Sequence, residues 1–339
     1  SGGSGGTEPD PTTSTSSTSG QSGSSGEPPG CQSDEDCEAS EVCIVATGLC
    51  ECAQGYMSCD QGCCEVDHGT VFMGDTSGPS IAVDSGGTPH VSFMVDSYEL
   101  MYARLGPSGW EVESIGQDDA NEYSTAIAID HDDTPVVASQ ANWSIWLTRP
   151  GDASWAHEEL YYNGSGYGPE LFPRAVAVGP DGEVHVVARQ EQNSGATSDT
   201  RLRHLYREAG EWADELIVES YDARYTPPSL AIDSAGALHV GYNSLFDQSL
   251  GYATNSSGSW VASAVLEGAL CCDAAHVAVD SSGSPYVAFQ ESNGGYAVAD
   301  GSNTPWTSAV RLEMMTGVGD IAFDANGGLH YAAADAAYN

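Results

Sequence analysis

Six times along the chain a short apolar phrase ends in a turn residue: Ile81-Ala-Val-Asp84, Ile127-Ala-Ile-Asp130, Val176-Ala-Val-Gly179, Leu230-Ala-Ile-Asp233, Val277-Ala-Val-Asp280 and Ile321-Ala-Phe-Asp324. The spacing between successive copies is 44 to 54 residues. A strand, a Gly-containing turn and a second strand at such a period mark a radial or stacked β-array. This repeat constrains the fold more tightly than any other feature, and no motif of comparable strength fixes the chemistry.

Each repeat reads as four strands. Strand A is the phrase itself, small enough for a crowded inner wall. Asp/Gly turns follow, as in DSGG at 84–87 and DSAG at 233–236, suited to tight hairpins. Strand B opens at His90, His185, His239 or Tyr286. Strand C carries an aromatic, at Tyr102, Tyr206, Tyr252 and Tyr296. Strand D opens on a tryptophan: Trp110, Trp155, Trp212, Trp260, Trp306. Period-2 alternation with one Trp per repeat predicts an all-β, six-bladed β-propeller over 67–339. The sixth repeat reaches only strands A and B by residue 339, so Thr70-Val-Phe-Met73 is expected to serve it as strand D. The slot for its strand C is left to a stretch near Tyr56-Met57, to a three-stranded blade, or to a neighbouring molecule.

Upstream, residues 1–30 are Ser, Gly, Thr and Pro with scattered acids and cannot bury enough apolar surface to order, so they are expected to form a flexible stalk. Its Ser/Thr run suits O-glycosylation by composition. Residues 31–66 hold eight of the ten cysteines: Cys31, Cys37, Cys43, Cys50, Cys52, Cys59, Cys63 and Cys64. Such density implies a disulfide-rich module made in an oxidising compartment. The remaining pair, Cys271-Cys272, lies in the loop just ahead of the strand A phrase Val277-Ala-Val-Asp280, where local, vicinal and intermolecular pairing all stay open. No apolar run is long enough for a membrane helix. The expected location is extracellular or at the cell surface, with a signal peptide already removed.

The chain has 49 acidic residues against nine cations, all of them arginine, for a net charge of −40. No basic stripe exists, which excludes nucleic acid as a partner.

At repeat level, residues 67–339 resemble the propellers of exported bacterial proteins related to sialidase and lectin propellers, and CQSDEDCEASEVCIVATGLCEC resembles small EGF-like modules. The Ser-x-Asp-x-Gly-x-x-Trp box of sialidases is absent, so the resemblance implies a fold and carries no activity with it.

The recurring histidines are assigned to capping backbone groups at the turns, and the strand D tryptophans to packing between blades. Trp143 and Trp146 fall outside that repeat and are the candidates for stacking on a sugar face. Acidic pairs at Asp118-Asp119 and Asp132-Asp133 lack the oxygen-ligand spacing of an EF-hand loop, which leaves Ca²⁺ as the one cofactor left open. No nucleophile, zinc or phosphate-loop motif appears. The leading expectation is a non-catalytic surface protein, structural or adhesive, polymerising with itself through an open blade edge or cysteine pairs. A lectin-like glycan binder is the alternative, and a glycoside hydrolase or lyase the third reading.

Overall fold

The computed structural model describes residues 41–44, 49–52, 56–59, 62–65, 71, 76–95, 99–116, 122–162, 170–194, 197–219, 227–244, 249–266, 275–290, 296–302, 306–312, 315–323 and 328–335. The chain divides into two units, Ser1–Gly69 and Thr70–Asn339. In the first, two hairpins are present: Glu41–Ile44 with Leu49–Cys52, and Tyr56–Cys59 with Gly62–Glu65. Tyr56 and Met57 therefore pair with Glu65 and Cys64 inside their own unit, and do not fill a strand slot in a blade. Cys43 and Cys50 are cross-strand partners. Cys31, Cys37, Cys271 and Cys272 lie outside the described residues.

The second unit is a succession of antiparallel sheets, each strand bonded to the next in sequence. Sheet I comprises Thr76–Val83, Pro89–Val95, Glu99–Gly106 and Gly109–Ser114. Sheet II comprises Glu122–Ile129, Pro135–Ala141, Ser144–Pro150 and Trp155–Tyr162. Sheet III comprises Glu170–Val178, Val184–Ser194, Thr197–Glu208 and Glu211–Val218. Sheet IV comprises Ser229–Ile232, Leu238–Ser244, Ser249–Thr254 and Val261–Leu266, and sheet V Ala275–Val279, Pro285–Gln290, Tyr296–Asp300 and Thr307–Leu312. Sheet VI has two strands among the described residues, Met315–Phe323 and Leu329–Asp335. In each sheet the strands are called A to D in order.

The phrase endings shape the A–B turns. Asp84 Oδ1 accepts the backbone N–H of Gly86 and of Thr88 at 3.0 and 2.7 Å. Asp130, Asp233 and Asp280 each repeat this with the residues two and four positions on. The Thr88 N–H, acting against partial desolvation, holds the Asp84 carboxyl below its ordinary range. The turn also needs one left-handed residue. Gly87 supplies it at φ 82° in sheet I, while sheet II uses Asp133 at φ 58°, a residue type that tolerates this region. The Asp133 carboxylate then takes both the N–H and the hydroxyl of Ser85, each at 2.7 Å, and so ties one turn to its neighbour.

Alternation places one face of each sheet on the opposite face of the next. Met94, Leu100, Tyr102 and Ile115 of sheet I pack on Ile127 and Val137 of sheet II. Equivalent clusters fill the seams from II to III, III to IV, IV to V and V to VI. The core is thus a series of seams, each fully buried Val, Leu, Ile, Phe or Met in it worth about 1.5–3 kcal/mol. Of the segment expected to complete the sixth repeat, Val71 alone is described. It packs against Val91, Phe93 and Ala103 of sheet I.

Candidate binding cleft between sheets I and II

His90 and His239 of strand B bond to side chains and not to turn backbone. His90 is 2% exposed, with Nδ1 2.5 Å from the Tyr102 hydroxyl and Nε2 3.3 Å from Asp84 Oδ2. Burial pushes the Tyr102 hydroxyl up to about 12, so it stays protonated and donates to Nδ1. His90 Nε2–H then donates to Asp84, which fixes the tautomer. Sheet IV repeats the arrangement: His239 Nδ1 lies 2.5 Å from Tyr252 and Nε2 3.4 Å from Asp233. The sequence expectation of backbone capping is corrected accordingly. These imidazoles join a turn carboxylate to a strand C phenol, which backbone-based reasoning from a turn position could not anticipate. They do not form a ring of metal ligands, and among the described residues no group of three His, Cys, Asp or Glu is placed to hold a metal.

Four of the five strand D tryptophans lie at the seams, while Trp110 packs within sheet I. Trp155 of sheet II meets Tyr102 of sheet I edge-on, with centroids 4.9 Å apart, and Trp306 meets Tyr252 at 5.0 Å. The indole N–H groups of Trp212 and Trp260 donate to Glu158 and Glu215 of the preceding sheets, at 3.0 and 2.8 Å.

At the seam of sheets I and II two openings share Trp155. One, of about 460 Å³, lies beside the A–B and C–D turns and is lined by Asp84, His90, Tyr102, Arg104, Glu111, Glu113, Asp133 and Trp155. Its lining is crowded with carboxylates. The other, of about 430 Å³, is lined by Ser114, Ile115, Gly116, Trp146, Ser154, Trp155 and His157. No carboxylate or guanidinium is among these residues. Desolvation lowers the His157 imidazole below its usual value, so it is neutral at pH 7, and its Nδ1 lies 3.0 Å from the Thr148 hydroxyl. The Trp146 indole N–H donates to the Ala141 carbonyl at 3.2 Å, which orients the ring in the groove.

The two tryptophans singled out in the sequence are separated by the fold. Asn142 and Trp143 form a two-residue left-handed turn, φ 50° and 70°, and Trp143 is 46% exposed at its tip. It does not line the groove. Trp146 does, and its aromatic companion there is Trp155, which strand position alone assigns to packing. His157 carried no signal in the sequence, because its neighbours come from a different strand and a different sheet. Of the acidic pairs, Asp118 and Asp119 lie outside the described residues, while Asp132 and Asp133 belong to an A–B turn.

No protein-family model matches the chain, and no curated protein matches its sequence. Solved structures do match. A Dyadobacter fermentans protein of unknown function is 13% identical, with 76% of this chain and 93% of that one covered, at a TM-score of 0.52. The SapL1 lectin, solved with α-methyl fucoside, is 10% identical over 76% and 88% of the two chains, at 0.51. Puromycin hydrolase is 14% identical over 72% of this chain and 40% of its own, at 0.50. The chain has a β-propeller-like fold.

The expectation that the protein is not an enzyme is overturned by the last of these. The fold matches 40% of a hydrolase chain as well as most of a lectin, so a propeller without familiar motifs is no mark of a non-catalytic protein, and catalysis stays unresolved.

Proposed function

We propose that the protein binds a neutral glycan in the uncharged groove between sheets I and II. One observation carries this reading: Trp146 and Trp155 line one groove of about 430 Å³ together with His157, Ser114 and Ser154. Indole rings cover the apolar face of a pyranose, while hydroxyl and imidazole groups bond its edge. The volume suits one or two sugar residues. A lining without charge, in a protein of net charge −40, favours neutral sugars over sulfated or uronic ones. That SapL1 holds a fucoside on a similar fold supports the reading.

A glycan array followed by titration calorimetry tests it. Trp146→Ala is expected to weaken binding at least tenfold, about 1.4 kcal/mol, with a melting temperature close to that of the native protein. The reading fails if no neutral glycan binds the native protein at millimolar concentration, or if the variant binds as the native protein does.

A different surface favours a second reading, self-association. Ile81 and Val83 on strand A of sheet I are 59% and 57% exposed, whereas Ile127, Val176, Val277 and Ile321, which match Ile81, are 4–8% exposed against the preceding sheet, and the matches of Val83 are half-buried. A second copy of the chain can cover that face with the kind of contact the seams already use. Sedimentation velocity of the native protein should show association that Ile81→Asp abolishes. A native monomer at every concentration removes this reading.

A further inference from the structure

Sheet III departs from the Asp–His–Tyr arrangement of sheets I and IV at two of its three positions, and both departures fall on one histidine. Gly179 stands where Asp84 and Asp233 stand, and His204 occupies the cross-strand slot of Tyr102 and Tyr252. A Cβ at Gly179 would lie 3.3 Å from His185 Nε2, so the carboxylate is missing from right beside that ring. What replaces it is a chain of contacts running outward. His185 Nδ1 lies 3.0 Å from His204 Nε2, the rings stacked with centroids 5.2 Å apart. His204 Nδ1 lies 2.9 Å from Glu215 Oε1. That same oxygen accepts the indole N–H of Trp260 in sheet IV at 2.8 Å, and the Trp260 ring meets His204 edge-on at 5.6 Å.

We propose that His185, His204, Glu215 and Trp260 form an acid-released latch on the seam between sheets III and IV. Two imidazole nitrogens facing each other can share one proton. At neutral pH the ionised Glu215 accepts the Nδ1–H of His204, leaving His204 Nε2 to accept from His185 Nδ1–H. A first added proton is accommodated by a change of tautomer at His185. A second sets two N–H groups and two cations face to face, and the pair separates. His204 is the pivot, because it also carries the carboxylate that Trp260 needs.

The surroundings set the pH at which this occurs. His204 is 2% exposed, and desolvation lowers it to about 4, with Glu215 opposing and His185 assisting that shift. Desolvation also lowers His185, against the attraction of Glu183 on the A–B turn. Tyr206 stacks on His204 at 4.9 Å and stays neutral, raised by desolvation and by Glu215, Glu208 and Asp214. From sheet IV the seam receives Leu230, Val240, Tyr242, Ala253 and Trp260, none of them charged. A base whose folded value lies below its unfolded value of about 6.5 gives stability that is complete above 6.5 and lost as the pH falls toward 4. Sheets I and IV hold tyrosine in the His204 slot, and a hydroxyl does not titrate in that range.

The test is the melting temperature of the full chain between pH 8 and 4, with a histidine NMR titration of the native protein. The native melting temperature should fall between pH 6.5 and 4. In His204→Tyr, which installs the side chain of sheets I and IV, the fall should be smaller by roughly 5 °C. In Glu215→Gln, which keeps an acceptor for Trp260 but removes the charge that favours a His204 cation, it should be steeper. Equal slopes for all three proteins overturn the latch. So does a His204 resonance titrating near 6.5 in the folded chain, a readout that holds even if a variant fails to fold.

Discussion

Gly241→Val is expected to lower the melting temperature by about 10 °C. Gly241 lies on strand B of sheet IV, paired with Ser229 and Tyr252. A Cβ there would stand 2.8 Å from the Ala275 carbonyl oxygen of sheet V and 3.2 Å from Ser229 Oγ. The first of these is backbone and cannot swing aside. Ser229 Oγ already bridges the same seam, accepting the Val277 N–H at 2.7 Å and donating to the Ala275 carbonyl at 2.6 Å. Valine therefore overpacks the seam, at a cost of about 1–3 kcal/mol, and pulls apart two hydrogen bonds worth about 1 kcal/mol each. Calorimetry on Gly241→Ala, Gly241→Val and Ser229→Ala orders the losses. Valine should exceed alanine, and Ser229→Ala should lose only the hydrogen-bond share. A Gly241→Val protein melting within 2 °C of native would mean that sheets IV and V do not approach so closely.

The way these seams were or were not legible depends on whether a signal is periodic along the chain. Strand A phrases and Asp turns recur in sequence, and five four-stranded sheets follow them. Strand D tryptophans recur likewise, and all but Trp110 lie at seams. What the eye misses is a position displaced by uneven strands. In sheet III, strands B and C run to 11 and 12 residues, so Tyr206 looks like the strand C aromatic while His204 holds its place. A count back from strand D finds it, because Tyr102, His204 and Tyr252 each stand eight residues before Trp110, Trp212 and Trp260. The same count gives Leu147 in sheet II and Val298 in sheet V, so those sheets have no polar partner there. The groove offers no such count. Ser114, Trp146 and His157 come from two sheets, and a two-residue turn takes Trp143 away from Trp146.

His90→Leu should destabilise the protein by about 2–4 kcal/mol, since it leaves the buried Tyr102 hydroxyl without its partner. Asp84 is less affected, as it keeps the N–H groups of Gly86 and Thr88. Tyr102→Phe alone should cost less, about 1–2 kcal/mol. The double variant removes both polar groups together, so its loss should fall short of the two single losses combined by at least about 1 kcal/mol. Urea unfolding of the four proteins measures that coupling. The corresponding cycle on His239 and Tyr252 should give a similar coupling, because the distances are 2.5 Å in both sheets. Sugar binding separates the two sites. Tyr102 supports Trp155, which lines the groove, so His90→Leu should also weaken a neutral glycan, and His239→Leu should leave its affinity unchanged. Equal weakening by both would place the sugar somewhere other than the seam of sheets I and II. Additive losses in either sheet would mean that the imidazole and the phenol stabilise the fold independently, and that the repeated Asp–His–Tyr chain is no more than proximity.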